Sequence, residues 1–136
     1  MIAYKFSAYR AAAQNTGAGA DAIVNFDTKN FDTGTNIDVT TNKGRFTAPA
    51  AGFYFFSARI GCASGTYLLV SLYKNGSLVR YGADATSSAG STGASVTEVL
   101  QLAANDYIEV FCQANIAKAL DLGAQNTYFS GWLVSA

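Results

Sequence analysis

GFYFFSARIG, residues 52–61, sets four aromatic side chains in a row: Phe53, Tyr54, Phe55 and Phe56. Successive side chains of a β-strand point to opposite faces, and a strand with one face in water alternates apolar with polar residues. A strand through this stretch is apolar on both faces, with Arg59 its only charge, so its second face needs a cover. The end of the chain, NTYFSGWLVSA (126–136), poses the same problem. Phe129 and Leu133 share one parity there, and Tyr128, Trp132 and Val134 share the other.

Composition narrows the choice of cover. A length of 136 residues suits a single domain, 1–136, with a core of its own. Half of the residues are hydrophobic and 13% are charged, against about 25% in an average soluble protein. Nine basic residues balance nine acidic ones, which argues against nucleic acid and against an anionic membrane surface as partners. No apolar run is long enough to span a bilayer. The segment after Met1 is patterned as a strand, not as a signal peptide.

The remaining segments read as strands and turns. Apolar runs recur about every 8–12 residues between Gly-, Ser-, Thr- and Asn-rich links, the pattern of a sandwich or barrel. YKFSAYRA (4–11), IVNF (23–26), IDVTT (37–41) and GRFTAP (44–49) are candidate strands, with FDTGTN (31–36) a turn-rich link. In YLLVSLYKNGSLVRYGA (67–83), Asn75-Gly76 separates two alternating runs and both residues tolerate a hairpin turn. Leu68, Val70 and Leu72 face the core. VTEVLQLAANDYIEVFCQA (96–114) reads as two strands about a turn, with Glu98 on the inward parity of Leu100 and Leu102. DATSSAGSTGAS (84–95) has almost no side chain to anchor it and reads as a long mobile loop. Its Asp84, Thr86, Ser87, Ser88, Ser91 and Thr92 are candidates for ligand contact.

The chemistry carried by the chain is sparse. There is no histidine, the commonest general base and metal ligand. No phosphate-binding or dinucleotide-binding glycine pattern and no nucleophile elbow occurs. Cys62 and Cys112 lie on the parity of aliphatic neighbours and read as buried free thiols in preference to a disulfide. Asp21, Asp27, Asp32, Asp38, Asp84, Asp106 and Asp121 are scattered through loops, where turn formation is their ordinary role. No cofactor follows from them; a calcium site from two or three of these carboxylates is the one alternative.

Residues from five stretches together carry a resemblance. Phe46, then five residues, then Gly52, Tyr54 and Phe56 form one element. FSA (6–8), LYKNG (72–76), LQLAAND (100–106) and TYFSGWLV (127–134) follow the same order. The chain resembles the complement C1q-like globular domain, within the tumour-necrosis-factor-like jelly rolls, over nearly its whole length. It departs from that pattern at Ala58 and Val39, where the family prefers aromatics, and at Asn105, where it has glycine. Asparagine also enters left-handed conformations.

The resemblance implies an all-β, ten-strand jelly-roll sandwich that assembles as a homotrimer, with the aromatic strand and the last strand turned toward the three-fold axis. It places Phe46, Tyr54, Phe56, Leu100, Leu102, Phe129 and Leu133 in the monomer core. It places Phe53, Phe55, Arg59, Tyr128 and Trp132 in the trimer interface. Arg59 there needs an acceptor, and Glu98 is the leading partner for it. The implied function is non-enzymatic recognition of a protein or glycan through surface loops, extracellular, at a cell surface or on a virion. The Gly-, Ala- and Ser-rich composition is similar to that of bacterial or phage members that cap fibres. Two other classes compete: a monomeric carbohydrate-binding sandwich with Trp132 as a stacking platform, and a glycosidase with a carboxylate pair.

Overall fold

The computed structural model describes residues 3–63, 67–83, 85–86 and 88–136. Thirteen strands follow one another among them: β1 (Lys5–Tyr9), β2 (Gly17–Ala18), β3 (Ala22–Ile23), β4 (Thr28–Asp32), β5 (Ile37–Asp38), β6 (Arg45–Thr47), β7 (Gly52–Ala63), β8 (Tyr67–Lys74), β9 (Ser77–Tyr81), β10 (Ala85–Thr86), β11 (Ser91–Leu102), β12 (Tyr107–Ala114) and β13 (Tyr128–Ser135). Four of them, β2, β3, β5 and β10, are only two residues long, and the other nine are longer. The sequence run IVNF contributes only Ile23 to a strand. Val24 and Phe26 are nevertheless fully buried, held by irregular backbone.

The strands form two sheets. One has the order β11-β7-β13-β1-β4. The other has the order β10-β8-β12-β6-β5, with β9 on β8 and with β2 and β3 on β12. From β6 to β8, and again from β11 to β13, the chain crosses from one sheet to the other at each step, so neighbours in a sheet are distant in sequence. Inward-facing residues of both sheets meet in one aromatic core. Phe6 stacks on Phe46 at 4.9 Å between ring centroids and meets Phe129 edge-on at 4.9 Å. Phe56 packs within 6.4 Å of Phe6, Phe46, Tyr54 and Phe129. Such pairs add to the area they bury.

Local chemistry fixes the turns. Asn75 and Gly76 both have positive φ, 51° and 81°, which matches the twist of the flanking strands of the β8–β9 hairpin. Asn75 also ties that hairpin to the β11–β12 turn: its side chain donates to Asp106 Oδ1 at 2.8 Å and accepts from the Tyr107 N–H at 2.9 Å.

The segment 84–95 is not the long loop that its side chains suggest. Residues 91–95 are the first half of β11, paired with β7 from Ser91 opposite Ala63 to Ser95 opposite Arg59. Small residues order here because the ladder supplies the backbone hydrogen bonds, and Thr92 and Ala94 are buried under the sheet.

Candidate functional site: the outer face of the five-stranded sheet

β7 lies between β11 and β13, and its register decides which side chains meet on the outer face. Phe55 is opposite Val99 on one side and Trp132 on the other, and Trp132 is opposite Lys5 of β1. A row Val99–Phe55–Trp132–Lys5 therefore crosses four strands. The Phe55 and Trp132 rings lie 4.4 Å apart, tilted by 37°. Trp132 is 47% exposed and Val99 49%, and Phe53 and Phe31 of β4 are exposed on the same sheet. Val134 is exposed as well, beside a register shift between Leu133 and Ser135. An exposed apolar face of this kind is a candidate interaction surface. Val99 and Phe31 were not singled out in the sequence. Val99 could have been found by the parity that turned Glu98 inward; Phe31 was hidden in a stretch that reads as a turn.

A second row holds Ser95, Arg59, Tyr128 and Tyr9. The Arg59 guanidinium runs along the sheet instead of away from it and donates to the Asn126 carbonyl at 2.5 Å. It lies over Gly61 and Gly93, which face each other across β7 and β11. Gly61 has the outward parity yet is buried, because Arg59 and Asp121 cover it.

Glu98 is not the partner of Arg59. The two belong to opposite faces of the same sheet, and no side chain reaches through it. Glu98 instead forms an ion pair with Arg80 of β9 and accepts the N–H of Val99 at 2.9 Å. It is tolerated on the inward parity because β11 is an edge strand and leaves its carboxylate 24% exposed at the rim.

On the inner face Phe46, Tyr54, Phe56, Leu102 and Phe129 are fully buried. The Tyr54 hydroxyl donates to the Ala50 carbonyl at 2.8 Å. Leu100 and Leu133 are only half-buried and pack against the core. Cys62 and Cys112 are both buried and free; burial pushes the Cys112 thiol up to about 12.

The proposed ligand-loop residues scatter. Thr86 is exposed on β10 opposite Tyr67, and Ser88 and Ser91 are exposed. Thr92 is 2% exposed and points under the sheet, so it is removed from the surface by the parity of β11. Asp84 and Ser87 lie outside the described residues. The carboxylates serve local structure: Asp27 accepts the N–H groups of Ala11 and Ala12, and Asp38 those of Thr40, Thr41 and Asn42. Among the described residues, no three His, Cys, Asp or Glu side chains converge as metal ligands would.

A family model for the C1q domain matches residues 5–134. The chain belongs to the C1q domain family. Solved structures share the fold of this C1q domain. The globular domain of zebrafish complement 1qA protein is similar with a TM-score of 0.73 at 20% identity, over 96% of this chain and 97% of that one. Murine APRIL at pH 5.0 is similar with a TM-score of 0.72 at 14% identity, over 97% and 99%. Eiger TNF from S. frugiperda is similar with a TM-score of 0.68 at 10% identity, over 98% and 92%. At these identities the likeness is one of fold, a jelly-roll sandwich. No curated protein matches the chain by sequence.

Proposed function

We propose that this C1q domain is a non-enzymatic recognition module that assembles as a homotrimer through the outer face of its five-stranded sheet. The observation that carries the reading is the exposure of Val99, Trp132 and Phe53 on a single chain, with Phe55 half-buried between them. Burying such a face against two symmetry mates is worth several kcal/mol per protomer at ~25 cal/mol per Å² of apolar area, before the cost of association. Phe53, Phe55, Tyr128 and Trp132 are the contacts in this reading, with Arg59 at their margin. The assembled module presents loops to a protein or glycan ligand outside the cell, as the head of a fibre-like protein. The mass in solution by light scattering tests the assembly: three times the 14.2 kDa of the chain is expected, and a stable monomer at micromolar concentration overturns it.

One observation favours a second reading. The exposed Trp132 ring packs beside the half-buried Phe55, which suits stacking of a sugar ring on a monomer. Burial of Trp132 on assembly, read as a blue-shifted fluorescence that persists on dilution, argues for the trimer.

A further inference from the structure

The structure assigns a second ligand site, on the flank where β4 and β5 end the two sheets, to a small neutral polyhydroxylated molecule such as one monosaccharide unit. The inference gives the proposed recognition role a location but does not depend on the trimer. An open cleft of about 550 Å³ lies there, within the range of small-ligand sites.

Three non-glycine residues among those described have positive φ: Thr35 at 56°, Asn75 at 51° and Asn105 at 72°. Asparagine enters this region readily, whereas a β-branched residue there is an outlier. Thr35 and Asn105 both line the cleft. Gly34, adjacent to Thr35, is suited to positive φ but does not take it. The unfavourable conformation thus sits on the residue that brings a hydroxyl. It is held by Asp32, whose carboxylate accepts the N–H groups of Gly34 at 3.4 Å before Thr35 and of Asn36 at 3.1 Å and Ile37 at 3.2 Å after it. Strain held in this way collects at ligand sites.

The lining decides the class of ligand. Its charges are already used. Lys29 pairs with Asp32 at 2.9 Å, and Asp38 is saturated by the N–H groups of Thr40, Thr41 and Asn42. What remains is neutral. The side chains of Thr35, Asn36, Thr47 and Asn105 line the cleft and make no hydrogen bond to the protein among the described residues. Hydroxyls and amides each donate and accept, as a sugar hydroxyl does. Val39 and Pro49 add apolar surface for the C–H face of a ring. With no uncompensated charge, the site has nothing to hold an ion.

The test is an amide and side-chain NMR titration of the whole assembled protein with methyl α-glucoside, methyl α-galactoside and N-acetylglucosamine, with phosphate as the charged control. Saturable shifts at the Asn36 and Asn105 side-chain amides with at least one sugar, and none with phosphate, are expected. Thr47→Val and Asn36→Ala should each weaken binding about threefold to tenfold, the worth of one hydrogen bond. Thr35→Gly should weaken sugar binding while raising the melting temperature, because it removes the strain with the hydroxyl. The site is overturned if none of the sugars moves these signals, if phosphate moves them equally, or if Thr35→Gly melts lower. Sugar shifts confined to Thr86, Ser88 and Ser91 would keep a glycan-binding role and overturn this location. A monomeric mass would overturn the trimer and leave this site standing.

Discussion

The guanidinium of Arg59 fills the space above Gly93, and a Cβ at that glycine would collide with its Nη2. Arg59 thereby avoids both fates that a charge on an apolar face invites: burial without a partner and projection into the proposed interface. Gly93→Ala should displace the guanidinium. The arm is flexible, so the monomer should lose less than ~1 kcal/mol in denaturant titration, while the trimer should dissociate at a higher protein concentration than wild type. Unchanged dissociation would mean that the position of Arg59 does not matter to assembly.

Phe55 and Phe56 are adjacent and do opposite things. Phe56→Ala removes a fully buried ring and should cost ~3–5 kcal/mol of monomer stability. Phe55→Glu should leave the fold intact and yield a monomer in light scattering, because it sets like charges on the face proposed to self-associate. A normal trimer from Phe55→Glu would show that this face is not the interface.

Glu98 should couple to Arg80 and not to Arg59. The Arg80 side chain is 53% exposed, so the double-mutant cycle of Arg80→Met with Glu98→Gln should give ~0.2–1 kcal/mol, the range of exposed pairs. The cycle of Arg59→Met with Glu98→Gln should be additive, since the sheet separates them. Coupling above ~1 kcal/mol in the second cycle would contradict the facing of the two residues.

Thr92 buries a hydroxyl with no hydrogen-bond partner among the protein atoms described. A buried polar group without a partner costs roughly 1–3 kcal/mol. Thr92→Val keeps the shape and should raise the denaturation midpoint by the equivalent of about 1 kcal/mol. A loss of stability would reveal a partner for the hydroxyl.

Stability should fall in acid because folded carboxylates have low pKa values. Asp106 is lowered to about 2 by the Asn75 side chain, the Ala103 N–H and Lys74. Asp38 is lowered further by the N–H groups of Thr40, Asn42 and Thr41. A folded value below the unfolded one contributes stability that is present above about pH 4 and is lost as pH falls through the folded value. The melting temperature should therefore be flat from pH 7 to about 5 and drop below about 4. Asp38→Asn should melt lower at pH 7 and converge with wild type in strong acid. In base the direction reverses for Tyr73, whose pKa is raised to about 12 because its hydroxyl donates to Asp21. That contribution is complete below the unfolded value near 10 and is lost as pH rises through about 12.

The strand class, the Asn75-Gly76 hairpin and the two-faced character of β7 and β13 were legible in the sequence, because each depends on residues close together in the chain. Parity alone separates Phe55 from Phe56 and Phe129 from Trp132. Other features needed the fold. DATSSAGSTGAS carries no local signal for a strand, and its second half becomes one only where β7, some thirty residues earlier, offers a ladder. Parity turned Glu98 inward, but only the edge position of β11 and the approach of Arg80 explain how its charge is kept. Parity put Arg59 on the face of Phe53 and Phe55 with Glu98 as its expected partner; its actual bed is a pair of glycines from strands distant in sequence. The strain at Thr35 and the cleft beside it arise where the loop between β4 and β5 bridges the two sheets. Pattern along a chain fixes which way a side chain points, whereas what it meets there is set by non-local pairing.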